Sequence, residues 1–138
     1  IAEGERTAGR KQGTVGVVMG AVSVIDENRE QAREVARRSA ALYLPVVAPL
    51  DTTLQIEPEL ITRLSKLAHH KQYAEAARLI SDDLLERFAF AGNADDIIRQ
   101  TERLFDAGAS RIEFGTPHGL TPEVGIQILG KKVLPAFK

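Results

Sequence analysis

The chain has 138 residues and a formal net charge of -1, and 43% of its residues are apolar. These values fit one globular domain, and the near-neutral charge gives no case for nucleic-acid binding. Because the chain has no cysteine, disulfides, thiolate metal sites and a cysteine nucleophile are excluded. No apolar run approaches the roughly 20 residues needed to cross a bilayer. We therefore expect a cytoplasmic protein with no membrane partner.

The first ten residues are typical of a helix that is ending. Residues 2–10 are mostly charged or helix-favouring, and Gly9 is placed to stop the helix. Since the chain opens on Ile1, we expect it to begin inside a larger architecture. The alternative is a trimmed or processed domain.

The strongest predicted strand runs from Thr14 to Ile25. It is almost continuously apolar and rich in β-branched residues, which is typical of a strand buried on both faces of a parallel sheet. Asp26 is expected to cap the following helix, which extends to about Leu44. Pro45 and Pro49 then bound an irregular stretch.

Several helices are predicted between this strand and the next. They begin near Pro58, Tyr73, Ser81 and Asn93, where a proline or a capping side chain suits the first turn. The segment 88–92 is apolar and ends at a glycine. No internal repeat is present.

The second clear strand runs from Ser110 to Thr116, and one last helix follows it. Ile112 and Phe114 face one side of this strand and Glu113 the other. Because helices separate the two strands, the right-handed crossover rule predicts that they are parallel. Two strands with so many helices do not form a self-contained sheet, and a complete barrel needs roughly 250 residues. We predict an α/β fold in which residues 1–138 form the C-terminal portion of a single (β/α)8 TIM-type barrel domain, with extra helices between the last two strands.

The segment from Gly115 to Gly119 is the best candidate for a functional site. It follows a strand, and in barrels the loops after the strands build the active site. Its glycines allow a ligand to approach the backbone, and His118 can donate a hydrogen bond to a ring carbonyl or a phosphate oxygen. The alternative is an ordinary turn that glycine and proline favour. The candidate binding residues are Gly115, Thr116 and His118.

The other histidines and Glu113 are assigned to the structure rather than to a site. His69 and His70 end a predicted helix, and no third ligand is spaced to complete a metal site with them, so we predict no metal. Glu113 could act as an acid or base if it is buried. The preferred interpretation is a structural role, in which Glu113 pairs with Arg111 or with a lysine in the barrel interior.

Three charged pairs are also given structural roles. Each aspartate pair falls in the first turn of a predicted helix, where carboxylates suit the positive helix end. The arginine pair is expected to face solvent. The pairs are Asp82-Asp83, Asp95-Asp96 and Arg37-Arg38.

Three stretches of the sequence resemble one known family. They are residues 83–97, with the motif Phe-Ala-Phe-Ala-Gly, residues 107–119, with Gly-Thr-Pro-His-Gly, and residues 128–135. Together they resemble the C-terminal third of the luciferase-like flavin- or deazaflavin-dependent oxidoreductases, in particular the methylenetetrahydromethanopterin reductase branch, which uses coenzyme F-420. The first strand and the helix after it are similar to the seventh unit of that family.

The resemblance implies a TIM-type barrel that binds a deazaflavin at the carboxyl ends of its strands. It implies hydride transfer between coenzyme F-420 and a methylene-pterin-type or other small acceptor. The family takes most cofactor contacts from earlier strands, so it implies no catalytic residue here, and the chain alone is expected to be inactive. One alternative is an FMN-dependent luciferase-like monooxygenase. Another is a non-catalytic fragment, because an unpaired apolar strand favours self-association into a homo-oligomer.

Overall fold

The computed structural model describes residues 1–137, which form three parallel strands and seven α-helices. The strands are β1 (Val18–Ile25), β2 (Ala89–Gly92) and β3 (Arg111–His118). The helices are α1 (Ala2–Thr7), α2 (Arg29–Val47), α3 (Pro58–His69), α4 (Tyr73–Ala77), α5 (Asp82–Phe88), α6 (Ala94–Asp106) and α7 (Pro122–Ile128). A short turn of 3-10 helix, Ala48–Leu50, follows α2, and the π-helical Leu129–Val133 and the 3-10 segment Leu134–Phe137 follow α7.

The sheet has the order β2-β1-β3, with β1 in the centre. Val18 pairs with Arg111 at one edge, and Val22 pairs with Ala89 at the other. The predicted parallel arrangement of the two long strands is confirmed. The strand β2 was not predicted, because its sequence Ala-Phe-Ala-Gly is only four residues long and three of the four residues are alanine or glycine, which are depleted in strands.

The first strand is shorter and less buried than its sequence indicates. It begins at Val18 rather than Thr14, and Val18 and Met19 are 49% and 40% exposed. Val24 and Ile25 are fully buried. The difference follows from pairing, since β2 covers only residues 22–25 of β1 and leaves the edge of residues 18–21 without a strand partner among residues 1–137.

The boundaries of α2 differ from the prediction at both ends. Its N-cap is Asn28, whose side chain accepts a hydrogen bond from the Gln31 amide, and Asp26 instead accepts from the Asn28 amide. The helix also continues through Pro45 to Val47. Burial of the surrounding turns therefore outweighs the main-chain hydrogen bond that the proline removes.

The core consists of two apolar clusters on opposite sides of the sheet. Val24 of β1 belongs to the cluster under α2 to α5, and its neighbour Ile25 belongs to the cluster under α6 and α7. This division follows from the alternation of side chains along a strand. The inner face of α2 is built from small residues, which allow the helix to lie close to the sheet. They are Ala32, Ala36, Ala40 and Ala41.

A buried arginine joins α2 to its neighbours. Arg33 is 1% exposed, and its Nη2 lies 3.2 Å from Asp82 Oδ1. Its Nη1 lies 3.5 Å from Glu86 Oε1 and 3.5 Å from the Ala91 carbonyl oxygen. One guanidinium therefore ties α2 to α5 and to β2, which fixes the position of β2.

The neighbouring Arg37 and Asp82 take part in the same network. Arg37 donates to the Ile80 carbonyl at 3.0 Å and forms an ion pair with Asp82. The expectation that Arg37 faces solvent is wrong, since its side chain is only 17% exposed. Partial burial raises the pKa of Asp82, but Arg33 and Arg37 outweigh that effect and hold it below its ordinary value. Asp82 does lie in the first turn of α5, as predicted.

The N-terminal segment is held by one carboxylate. Glu5 is 3% exposed and accepts hydrogen bonds from the Gly13 amide at 2.8 Å and the Val15 amide at 2.7 Å. The bonds from Gly13 and Val15 lower the pKa of Glu5. The predicted helix end is confirmed, because α1 stops at Thr7 and Gly9 has a φ of 65°.

Replacing Arg33 with methionine should destabilise the fold more than the same change at Arg38. Arg33→Met should lower the free energy of unfolding by about 1.5 kcal/mol, near the low end for hydrogen bonds to charged groups, because both carboxylate partners remain partly hydrated. Arg38 forms an exposed pair with Glu34 at 3.1 Å, so Arg38→Met should cost about 0.5 kcal/mol or less. Urea unfolding measures both, and equal losses would contradict the anchoring role of Arg33.

Acid should release the segment after α1. Because the pKa of Glu5 is lowered from 4.5, its stabilising contribution is present above that pH and is lost as the pH falls through the lowered pKa. The amide resonances of Gly13 and Val15 should therefore titrate together, with a midpoint below 4.5. In the Glu5→Gln variant this titration should disappear. A midpoint at or above 4.5, or persistence of the titration in the variant, would refute the contact.

Candidate functional site

The carboxyl ends of the three strands meet at one edge of the sheet. Ile25 pairs with Gly92, and Val24 pairs with His118. The segment 115–119 predicted as the site begins beside the end of β1. It is not wholly a loop, because β3 continues through His118. The sequence obscured this extension, since Pro117 and the flanking glycines are typical of turns.

A serine side chain supports the strand at this point. The pairing of β1 with β3 changes register between Val22 and Val24, and the fully buried Ser23 lies at that change. Its Oγ donates to the Gly115 carbonyl oxygen at 2.6 Å. The hydroxyl thus satisfies a main-chain acceptor where the ladder is irregular. Sequence patterns did not indicate this role, because a register shift is a property of two paired strands.

Two glycines make close backbone contacts around the site. A Cβ atom on Gly115 would lie 2.7 Å from the Ala21 carbonyl oxygen. One on Gly125, in α7, would lie 2.0 Å from the His118 carbonyl oxygen. The absence of a side chain at Gly115 thus allows β3 to pack against β1, and at Gly125 it allows α7 to pack against the end of β3.

The three candidate binding residues differ in their surroundings. Thr116 is exposed, and Gly115 and His118 are half-buried. The Thr116-Pro117 peptide is cis, and His118 has a φ of 74°. The His118 ring turns back on its own strand, with Nε2 at 3.1 Å from the Phe114 carbonyl oxygen. The edge of the sheet therefore presents a hydroxyl, an oriented imidazole and main-chain groups.

The remaining histidines and Glu113 lie outside this edge. His69 and His70 are exposed at the end of α3, and residues 1–137 contain no group of three or more side chains that could hold a metal ion. Glu113 is exposed and forms an ion pair with Arg111. Of the pairings considered for Glu113, the one with Arg111 is present.

The aspartates at the start of α6 have a larger role than helix-end electrostatics. Asp96 forms a capping box with Asn93, as its place in the first turn predicts. Its carboxylate also binds Arg29 at 2.9 Å and Arg99 at 2.6 Å. Asp96 therefore connects α6 to α2 beside the end of β2.

A separate groove of about 550 Å³ runs along the unpaired edge of β1. Its lining includes Met19, Gly20, Arg87, Phe90 and Gln100. The β1 residues in this lining, Met19 to Ala21, belong to the amino-terminal half of the strand, whereas the candidate binding residues lie at the carboxyl ends of the strands. The groove is therefore distinct from the candidate site.

The model of the luciferase-like monooxygenase family matches residues 1–111, and the chain belongs to this family. The chain is similar over its whole length to the 5,10-methylenetetrahydromethanopterin reductases of Methanopyrus kandleri (28% identity over 141 residues) and Archaeoglobus fulgidus (24% over 145 residues). It spans 40% and 43% of the length of these two relatives.

Two solved structures share the fold. The coenzyme F-420 dependent tetrahydromethanopterin reductase from Methanopyrus kandleri matches 99% of the chain at a TM-score of 0.84 and 26% identity, with 40% of that protein covered. An F-420-dependent secondary alcohol dehydrogenase in complex with an F-420-acetone adduct matches 99% at a TM-score of 0.63 and 25% identity, with 36% covered. The predicted family and the predicted barrel-type fold are confirmed. Among residues 1–137, no helix has the length and apolar character needed to span a membrane.

Removing the Ser23 hydroxyl should destabilise the end of β3. Ser23→Ala leaves a main-chain acceptor without its donor in a buried position, which costs about 1–3 kcal/mol. Ser39→Ala is the matched control, because the Ser39 hydroxyl only bonds to the Val35 carbonyl within its own helix. That change should be nearly neutral. Chemical denaturation measures both variants, and a Ser23→Ala loss as small as that of the control would contradict the supporting role.

Proposed function

We propose that the chain forms part of an F-420-dependent oxidoreductase that transfers hydride between the deazaflavin and a methylene-pterin-type or other small acceptor. The observation that carries the proposal is the match of 99% of the chain to an F-420 dependent tetrahydromethanopterin reductase at a TM-score of 0.84. The second matched structure is a secondary alcohol dehydrogenase that depends on the same cofactor. The cofactor is thus the feature that the two structures share.

The residues at the carboxyl edge of the sheet fit one side of such a cofactor. Thr116 offers an exposed hydroxyl, and His118 offers an imidazole whose position is set by its bond to Phe114. These two side chains, with the main chain of Gly115, would bind and orient the ring or the acceptor. When bound, coenzyme F-420 supplies the hydride chemistry, and the protein supplies orientation and a fixed distance.

An FMN-dependent monooxygenase is the alternative within the same family. The family includes monooxygenases, whereas both matched structures are F-420-dependent enzymes, a reductase and an alcohol dehydrogenase. F-420 is therefore the cofactor that we propose.

A homo-oligomer is the proposed assembly. Several large apolar side chains are exposed, and three of them recur at four-residue spacing from α2 into the turn after it, which places them on one helical face. They are Leu42, Val46 and Leu50, at 54%, 70% and 78% exposure. Covering such a stripe removes apolar surface from water, which also supports the alternative of a non-catalytic, self-associating chain.

Binding of coenzyme F-420 to the complete gene product, and to its His118→Ala variant, tests the function and the site together. Loss of one hydrogen bond worth about 1.4 kcal/mol should weaken binding about tenfold. Titration followed by cofactor fluorescence gives the affinity, and a parallel melting curve separates binding from stability. His70→Ala, at the end of α3, is the matched control and should leave the affinity unchanged.

The possible results separate the two parts of the proposal. A wild-type protein that binds FMN and not F-420 would overturn the cofactor assignment. Tight F-420 binding that is unaffected by His118→Ala would remove His118 from the cofactor contacts and leave the function standing.

A further inference from the structure

The hydrogen bond of His118 fixes which ring nitrogen carries the proton. Nε2 lies 3.1 Å from the carbonyl oxygen of Phe114. A carbonyl oxygen can only accept a hydrogen bond, so Nε2 must be protonated and must be the donor. In the neutral imidazole the other nitrogen, Nδ1, then has no proton.

The main chain around His118 holds the ring in this position. Its φ of 74° is uncommon outside glycine, and its carbonyl oxygen lies against Gly125 so closely that a Cβ there would be 2.0 Å away. Gly119, the next residue, is buried. Packing against α7 therefore restricts rotation of the main chain at His118.

The unprotonated nitrogen has no partner within the described part of the chain. No hydrogen bond among residues 1–137 involves Nδ1 of His118, whose single side-chain contact of this kind is made by Nε2. The buried side-chain atoms without a hydrogen-bond partner are Nε and Nη2 of Arg33, of which Nη2 faces Asp82 in an ion pair, and Oγ1 of Thr101. Nδ1 of the half-buried His118 is therefore open to solvent and to a ligand.

We infer that His118 acts in the site as a hydrogen-bond acceptor through Nδ1 and recognises an N–H or O–H group of the ligand. This inference rests on the proposed function and specifies the chemistry of one contact. A ring imide N–H of the deazaflavin, or an N–H or hydroxyl of the acceptor, has the required proton. A ring carbonyl or a phosphate dianion offers only acceptors and would leave Nδ1 without a bond. The direction of the hydrogen bond between His118 and the ligand is thus the reverse of the donor role expected from the sequence.

The tautomer can be measured directly with 15N-labelled histidine in the complete gene product. At a pH where the imidazole is neutral, His118 should show a protonated Nε2 and an unprotonated Nδ1. The exposed His69 and His70 should show the rapid tautomer averaging of solvated rings, and a His118→Gln sample assigns the signals. A proton on Nδ1 of His118 would overturn the inference without touching the proposed function.

Adding ligands to the same sample identifies the donor. A shift of the Nδ1 resonance on adding oxidised coenzyme F-420 alone assigns the donor to the cofactor. A shift that requires tetrahydromethanopterin in addition assigns it to the acceptor. If F-420 and the pterin bind but Nδ1 does not shift, the inference is wrong and the function stands. If the wild type binds neither, the proposed function fails, and the ligand contact fails with it.

Two amide variants separate the two ring nitrogens. Glutamine can place an N–H near the position of Nε2, so His118→Gln should keep the bond to Phe114 while losing about tenfold in F-420 or pterin affinity. Asparagine can place an oxygen near Nδ1, so His118→Asn should lose the bond to Phe114 but retain more affinity. The opposite order of affinities would contradict an acceptor at Nδ1.

Discussion

The main-chain pairing of β1 with β2 on one edge and β3 on the other is the constraint on which this structure depends. The three strands come from distant parts of the chain, and β1 is the strand that both of the others pair with. Its alternate side chains reach both apolar clusters, with Val24 on one side and Ile25 on the other. The helices therefore take their positions from β1.

The geometry of the candidate site follows from the close packing of β3 against β1. Ser23 donates to the Gly115 carbonyl where the register changes, and Gly115 itself leaves room for the main chain of β1. On the other side of the turn, Gly125 allows α7 to contact the His118 carbonyl. These contacts orient one imidazole at the carboxyl edge of the sheet, the edge at which TIM-barrel enzymes have their active sites. Since most of the contacts involve main-chain atoms, the geometry depends on small residues rather than on a cluster of charged ones.

Charged side chains have a different function here, which is to join secondary-structure elements. Arg33 connects α2 to α5 and β2, and Asp96 connects α6 to α2. Both interactions lie beside β2, the shortest strand, whose four residues make few ladder bonds of their own. One member of each charged pair in the sequence, Asp82, Asp96 or Arg37, thus joins neighbouring elements, whereas Arg38 pairs only with Glu34 of its own helix.

The sequence by itself determined the family, the parallel strands and the segment that contains the candidate site. These features are local, since an apolar β-branched run, capping residues at helix starts and motifs such as Gly-Thr-Pro-His-Gly can be recognised in short stretches of chain. The tertiary structure decided that residues 89–92 form a strand and that α2 continues through Pro45. It also decided that the first residues of β1 are exposed while its last residues are buried. It also decided the roles of Ser23, Arg33 and the nitrogen atoms of His118. Each of these depends on which distant residues come together, because pairing register, burial and hydrogen-bond partners are properties of contacts between segments and are not encoded in any one of them.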